Sequence, residues 1–320
     1  MSHSQPATSL ADLEVRRATQ DDADAVVDLT SRIWTDRNGD YLTHAYTDWL
    51  EEPGADSKHT FLAVDGDTVA GIVQAVMLSA DEAWFQGLRV HPEYRRLGLS
   101  RRLNDACFDW ALERGATVGR LMIFSWNAPA LGATRSAGFD PATEFRWAHP
   151  EPDAAAEPAA CDALIVGDHV DRAWRYWTHS DARDHLSGLT LDPEESWAVR
   201  ELTRADLEWL ADERAVFTVD RPDQGVVATG YRSRTYERTT DDGTTERWAE
   251  YGVGAWDDVD AARSLFAGIA RDAADLEADR TRVLIPESVE AVSDASYAGA
   301  SISEEPDFVL AIDLAGLESS

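Results

Sequence analysis

Leu88-Arg89-Val90-His91-Pro92-Glu93-Tyr94-Arg95-Arg96-Leu97-Gly98-Leu99-Ser100-Arg101-Arg102-Leu103 is the stretch on which the reading of the chain turns. A strand runs into Pro92, which stops it, and a loop containing Gly98 follows. From Ser100 the apolar residues Leu103, Cys107, Trp110 and Ala111 recur at i, i+4, i+7 and i+8, which predicts a helix over 100–114. A strand, a glycine loop and a helix start in that order aim free backbone N–H groups at one point. The helix terminus adds roughly half a positive charge there. Arg95, Arg96, Arg101 and Arg102 crowd the same segment, and the physics asks for a phosphate or pyrophosphate.

That basic cluster stands out against the rest of the chain. The 320 residues carry 60 acids and 29 bases, a formal charge of −31, and Lys58 is the only lysine. With 44 % hydrophobic residues and 12 tryptophans the chain can still build a large core. An acidic, lysine-poor but core-competent composition suits concentrated salt, so a halophilic source is expected. Residues 1–150 hold 22 acids and 14 bases, whereas residues 151–320 hold 38 and 15. The first half therefore retains positive charge that the second has shed. Nucleic-acid binding is disfavoured by the overall charge, and no apolar run reaches membrane-span length. No signal-peptide core opens the chain, no histidine or cysteine cluster has metal-ligand spacing, and a cytoplasmic protein without a metal is expected.

Outward from the central segment, strands are expected at 14–17, 61–64, 69–77, 83–90, 118–125 and 144–149. Helices are expected from Thr19, over 41–50, over 100–114 and over 128–137. Thr19 with Asp22 makes the cap of the first of these. The order β-α-α-β-β-β-α-β-α-β implies an α+β fold, a mixed sheet with helices on both sides. Pro150–Ala163 (PEPDAAAEPAACDA) reads as a linker or long loop. The second half repeats the order with strands at 197–202, 225–236, 246–256, 282–285 and 308–314, and helices at 203–214, 260–275 and 288–298. A tandem duplication is expected, with domains at 12–149 and 164–318 joined by 150–163.

The first half resembles the GNAT family of N-acetyltransferases. The family signature Arg/Gln-x-x-Gly-x-Gly/Ala after a strand ending Val-x-Pro is met by Val90-His91-Pro92 and Arg95-x-x-Gly98-x-Ser100, with serine at the last position. A second segment, Asn-x-x-Ala…Gly-Phe, is met by Asn127, Ala130, Gly138 and Phe139. The resemblance covers residues 13–149 and extends to the second half only in element order. It implies a tandem acyl-CoA N-acyltransferase fold that uses acetyl-CoA as acyl donor. It also implies that Leu88, Arg89 and Val90 pair with the pantetheine arm, that Arg95, Arg96, Leu97, Gly98, Leu99 and Ser100 hold the pyrophosphate, and that Asn127 touches the arm.

By the same resemblance a carboxylate before the loop takes the amine proton, but the usual position falls near Trp84. Glu82, on the same face by period two, is the candidate acting through water. The family's tyrosine that protonates the leaving thiolate is replaced by Thr134. Cys107, inside a helix, is read as core rather than as nucleophile. The acceptor is expected near the early helices, where Trp34, Asp36, Asp40, Tyr41, His44 and Trp49 gather and would suit a cationic amine. In the second half the equivalent loop, Gly252 to Asp258, has no arginine and two aspartates, so that copy is not expected to bind CoA. The expectation is a small-amine or amino-acid N-acetyltransferase, monomeric or homodimeric. The alternatives are a protein lysine or N-terminal acetyltransferase and a non-catalytic CoA-binding regulator.

Overall fold

The computed structural model describes residues 13–33, 42–51, 57–160, 163–166, 169–240 and 243–317. It separates into two units. Unit 1 comprises residues up to 121, 128–140 and 310–320; unit 2 comprises 122–127 and 141–309. The domain cut expected at residues 149–150 thus differs from this division in three places: residues 122–127 and the strand ending at His149 go with unit 2, and residues 310–317 go with unit 1.

Unit 1 is built from β1 (Glu14–Arg17), α1 (Ala23–Thr30), α2 (Leu42–Glu51), β2 (Lys58–Asp65), β3 (Thr68–Met77), β4 (Glu82–Val90), α3 (Leu99–Leu112), the first part of β5 (Val118–Phe124) and α4 (Ala128–Ser136). Its strands lie in the order β1-β2-β3-β4-β5. The first three pairings are antiparallel; short turns such as Asp65-Gly66-Asp67 join β2 to β3 and β3 to β4, whereas α1 and α2 lie between β1 and β2. β4 and β5 are parallel, because α3 carries the chain back across the sheet between them. The Thr19/Asp22 pair caps a 3-10 turn, Gln20–Asp22, that leads into α1: the Thr19 backbone N–H donates to Asp22 Oδ2 at 2.8 Å, and Arg16 clamps the same carboxylate at 2.6 and 2.9 Å. The guanidinium holds the Asp22 carboxyl down at about 2. Val26, Leu29, Leu42, Tyr46, Leu62 and Ile72 form one core between the early helices and the sheet. Residues 310–317 complete the unit: the Leu314 N–H donates to Thr117 O at 2.9 Å, and Ile312 and Leu314 are buried.

Unit 2 contains β6 (Asp140–His149), β7 (Ala163–Val166), α5 (Val170–Trp177), α6 (Asp181–His185), β8 (Leu189–Leu191), β9 (Val199–Glu201), α7 (Arg204–Glu213), β10 (Ala215–Arg221), β11 (Gly225–Thr239), β12 (Thr245–Trp256), α8 (Val259–Asp275), β13 (Arg280–Pro286), α9 (Val289–Tyr297), β14 (Ser301–Ile302) and the first part of β15 (Asp307–Asp313). Its sheet runs β6-β13-β12-β11-β10-β7, and β8 pairs only with β9. Pro150–Ala160 has neither helix nor strand, yet it is tied down. The Asp153 N–H reaches Ala270 O at 3.0 Å, and the Ala159 N–H reaches Ser264 Oγ at 2.9 Å, both on α8.

The sequence of events from β9 to α9 repeats that from β1 to α4, apart from α2. One detail repeats atom for atom. Arg200 clamps Asp206 at 2.7 and 3.0 Å, and the Thr203 N–H donates to the same carboxylate at 2.7 Å, as Arg16, Asp22 and Thr19 do in unit 1. Both triads follow one spacing, Arg-x-x-Thr-x-x-Asp. Among the described residues, no helix is long and apolar enough to cross a membrane.

Candidate active site

β4 and β5 are in register only over Glu82↔Val118, Ala83↔Gly119 and Trp84↔Arg120. Among the described residues, β4 has no parallel partner from Phe85 onward, and the two strands form a fork. The β3–β4 ladder explains the divergence. Its register slips between Ile72↔Arg89 and Gln74↔Gln86, a bulge centred on Gly87, whose φ is +65°. A Cβ at Gly87 would lie 2.2 Å from Cη2 of Trp49 on α2, so glycine is needed for both the backbone and the packing.

Beyond the fork, His91 ends the strand. Its N–H donates to Ala70 O at 2.9 Å, and its Nδ1 accepts from the Glu93 N–H at 3.3 Å. Burial pushes the imidazole's pKa down, which keeps Nδ1 an acceptor. Tyr94 is anchored by donating to Asp65 Oδ2 at 2.9 Å, and burial with that bond pushes its phenol up to about 12. The chain then turns through Arg96 (φ +64°) and Gly98 (φ +87°), which caps α3. Among the described residues, the N–H groups of Arg96, Leu97 and Gly98 donate to no chain acceptor. The first-turn amides of α3 have no intrahelical partner either. Arg95, Arg96 and Arg101 are exposed around this cradle, while Leu99 is buried and pins the helix start. The loop therefore offers convergent donors and positive charge at the end of the fork, which fits a pyrophosphate. Leu88, Arg89 and Val90 are half-buried on the open part of β4.

The two catalytic candidates are both buried. Glu82 lies at the closed end of the fork. Its Oε1 accepts from Arg120 Nη1 at 2.5 Å. A carboxylate already committed to a buried cation is a structural partner before it is a proton acceptor. Thr134 is buried in α4, where its carbonyl accepts the Ala137 N–H at 3.0 Å. Asn127 falls in the segment grouped with unit 2; its N–H donates to Phe124 O at 2.9 Å, closing the turn after β5. Trp34, Asp36, Asp40 and Tyr41 lie outside the described residues, as does the side chain of His44. Cys107 is completely buried and its thiol is pushed well up, in keeping with a core role.

The sequence reading passed over one polar line. Gln86, the last residue before the bulge, donates to Gln74 Oε1 at 2.7 Å, and Gln74 donates to Thr60 Oγ1 at 3.0 Å. Gln74 is inaccessible to solvent, so this line fixes the Gln86 amide where the fork opens. Only the β2–β3–β4 register brings the three together, and no spacing along the chain signals it.

In unit 2 the strand before the corresponding helix continues to Trp256, and Asp258 caps α8 with its own carboxylate, accepting the Ala261 N–H at 2.9 Å. Arg221 reaches Asp258 at 2.7 Å and holds its carboxyl below the usual range. This helix start is already occupied by a negative group and lacks the loop.

Residues 23–139 match the model of the acetyltransferase (GNAT) family. Among solved structures, the chain is similar to a GCN5-related N-acetyltransferase from Sphaerobacter thermophilus at 13 % identity. That match covers 96 % of this chain and 97 % of the other, with a TM-score of 0.62. It is also similar to the glucosamine N-acetyltransferase region of a fungal multi-domain β-N-acetylglucosaminidase at 14 % identity. There the match covers 96 % of this chain and 38 % of the other, with a TM-score of 0.61. At these identities the likeness establishes the fold: a GNAT mixed sheet flanked by helices. No curated protein matches the sequence.

Proposed function

With residues 23–139 matching the acetyltransferase (GNAT) family as premise, we propose that the protein is an acyltransferase that moves acetyl from acetyl-CoA to the primary amine of a small molecule or amino acid. The observation that carries this is the β4–β5 fork ending in the Arg95–Ser100 loop, where unengaged amides, left-handed Arg96 and Gly98, and exposed arginines converge. On this reading Leu88, Arg89 and Val90, beyond the β5 register, would run beside the pantetheine arm, Arg95 to Ser100 would hold the pyrophosphate, and Asn127 would touch the arm. The bulge at Gly87 turns the β4 backbone where the two strands part, and backbone donors there would polarise a thioester carbonyl.

Proton transfer has no committed side chain on this reading. Glu82 is held by Arg120, so the amine proton leaves through water, with the fixed Gln86 amide as the nearest polar anchor on β4. Thr134 or water returns a proton to the thiolate. Positioning of amine and thioester supplies much of the rate, and no covalent enzyme intermediate is required. Unit 2 is a second, degenerate copy of the fold, and the capped start of α8 supports its not binding CoA. The acidic, lysine-poor composition supports a halophilic cytoplasm as the setting.

The experiment is calorimetric titration of acetyl-CoA in molar KCl beside Gly98→Glu and an Arg95→Ala/Arg96→Ala double variant. The expected result is micromolar binding by the parent, weakened at least tenfold in both variants, followed by CoA release with a panel of amines. No binding by the folded parent chain overturns the proposal. Binding without turnover on any amine or peptide favours a CoA-binding regulator instead.

A further inference from the structure

Unit 2 has a fork of its own. β12 and β13 are parallel and in register from Trp248↔Arg280 to Tyr251↔Val283, after which the pairing stops. A cavity of about 390 Å³ lies beyond that point, between the end of β12, the start of α9 and helix α6. Its size is that of a small-molecule site. Ala255, Pro286 and Ala291 give it a buried apolar floor.

The chemistry of this cavity is the reverse of that of the unit 1 loop. Asp181, Asp257 and Glu290 stand around it, and its lining contains no arginine or lysine among the described residues. Two histidines, His179 and His185, complete the polar wall. Asp257 is oriented by accepting a hydrogen bond from Tyr176 Oη at 2.7 Å. The indole of Trp256 is held by donating from Nε1 to Asp294 at 3.1 Å and meets Phe266 nearly edge-on, at 67°. A phosphate-bearing ligand would meet three carboxylates, and the two helix starts that border the cavity, those of α6 and α9, are already capped by Ser180 and Ser288, which accept from the Arg183 and Ala291 N–H groups. Among the described residues, no group of three His, Cys, Asp or Glu side chains is placed to hold a metal ion. What remains is a ligand that is organic, small and positively charged, with an indole available to its cation.

We propose that the β12–β13 fork of unit 2 binds a small organic cation, its charge set against Asp181, Asp257 and Glu290 and its carbon skeleton on the apolar floor. The degenerate copy has thus kept the fork and exchanged the sign of its ligand. This inference does not depend on acetyl-CoA binding in unit 1.

The test titrates the full chain, in molar KCl, with putrescine, agmatine and choline, and with 1,4-butanediol as the uncharged counterpart of putrescine. At least one cation is expected to release heat and raise the melting temperature, while butanediol does neither. Binding should fall at least tenfold in Asp181→Asn/Glu290→Gln. It should fall as far in Ala182→Leu, which fills the cavity without changing charge, with acetyl-CoA binding unchanged in both. Circular dichroism checks that each variant is folded. Absence of binding by all three cations overturns the proposal. So does equal binding of butanediol, or undiminished cation binding in either folded variant.

Discussion

Gly87 is the residue on which the unit 1 site bends. A non-glycine side chain there costs roughly 1–2 kcal/mol for the left-handed backbone, and displacement of Trp49 adds to it. Gly87→Ala is therefore expected to lower stability by at least that much in urea unfolding and to reduce turnover, since the bulge would relax. A stability change within about 0.5 kcal/mol, the range of an ordinary surface substitution, would contradict this account. Glu82 tests the mechanism in the opposite sense. Glu82→Gln leaves Arg120 with a neutral partner, and breaking a buried pair costs about 3–5 kcal/mol at most. The expected outcome is a lower melting temperature with the kcat of the folded enzyme retained and its pH profile unmoved. A collapse of kcat with unchanged stability would restore Glu82 as the proton acceptor.

Asp307 supplies the pH dependence. It is buried, accepts from Trp147 Nε1 at 3.0 Å, and burial pushes its carboxyl up to about 6. A raised carboxyl pKa means that the folded state holds the proton more tightly than the unfolded state. The associated stability is present below pH 3.8 and is lost as pH rises through about 6. Asp307→Asn removes that dependence. Relative to the parent it should gain about 2–3 kcal/mol between pH 3.5 and pH 7, measured as the difference between the two chains' denaturation curves at each pH.

At the scale of elements, what could be read from the chain was what local periodicity encodes. The apolar spacing of Leu103, Cys107 and Trp110 announced α3, and the Thr19/Asp22 and Thr203/Asp206 pairs announced the starts of α1 and α7. β10 was missed because α7 passes into it through Arg214 with no glycine or proline between them. α5 was missed although Val170, Ala173, Trp174 and Trp177 keep helical spacing; it spans only two turns and follows the short strand β7. In the candidate site, the course of the 95–100 loop was legible because backbone conformation there follows from Pro92 and Gly98. The Glu82–Arg120 pair and the Thr60–Gln74–Gln86 line were not legible, because each depends on which strands are neighbours and in what register.

At the scale of the whole molecule, the two units are interleaved along the chain. Residues 122–127 lie with unit 2, and residues 310–317 lie with unit 1, where Ile312 contacts the Gly119 position and Leu314 is buried. A chain ending at residue 306 is therefore expected to lose the fold of unit 1, not merely the edge of unit 2. The measurement is acetyl-CoA titration of that truncation beside the full chain, and retained binding would refute the expectation. The same interleaving has a consequence in time. During synthesis the 23–139 segment is complete long before the residues that close its unit have been made. At about 5–20 residues per second, the ribosome takes roughly 10–40 s to travel from the end of β5 to β15. Over that interval the nascent first unit waits with its Gly119 flank uncovered, and chaperone contact during translation should concentrate there.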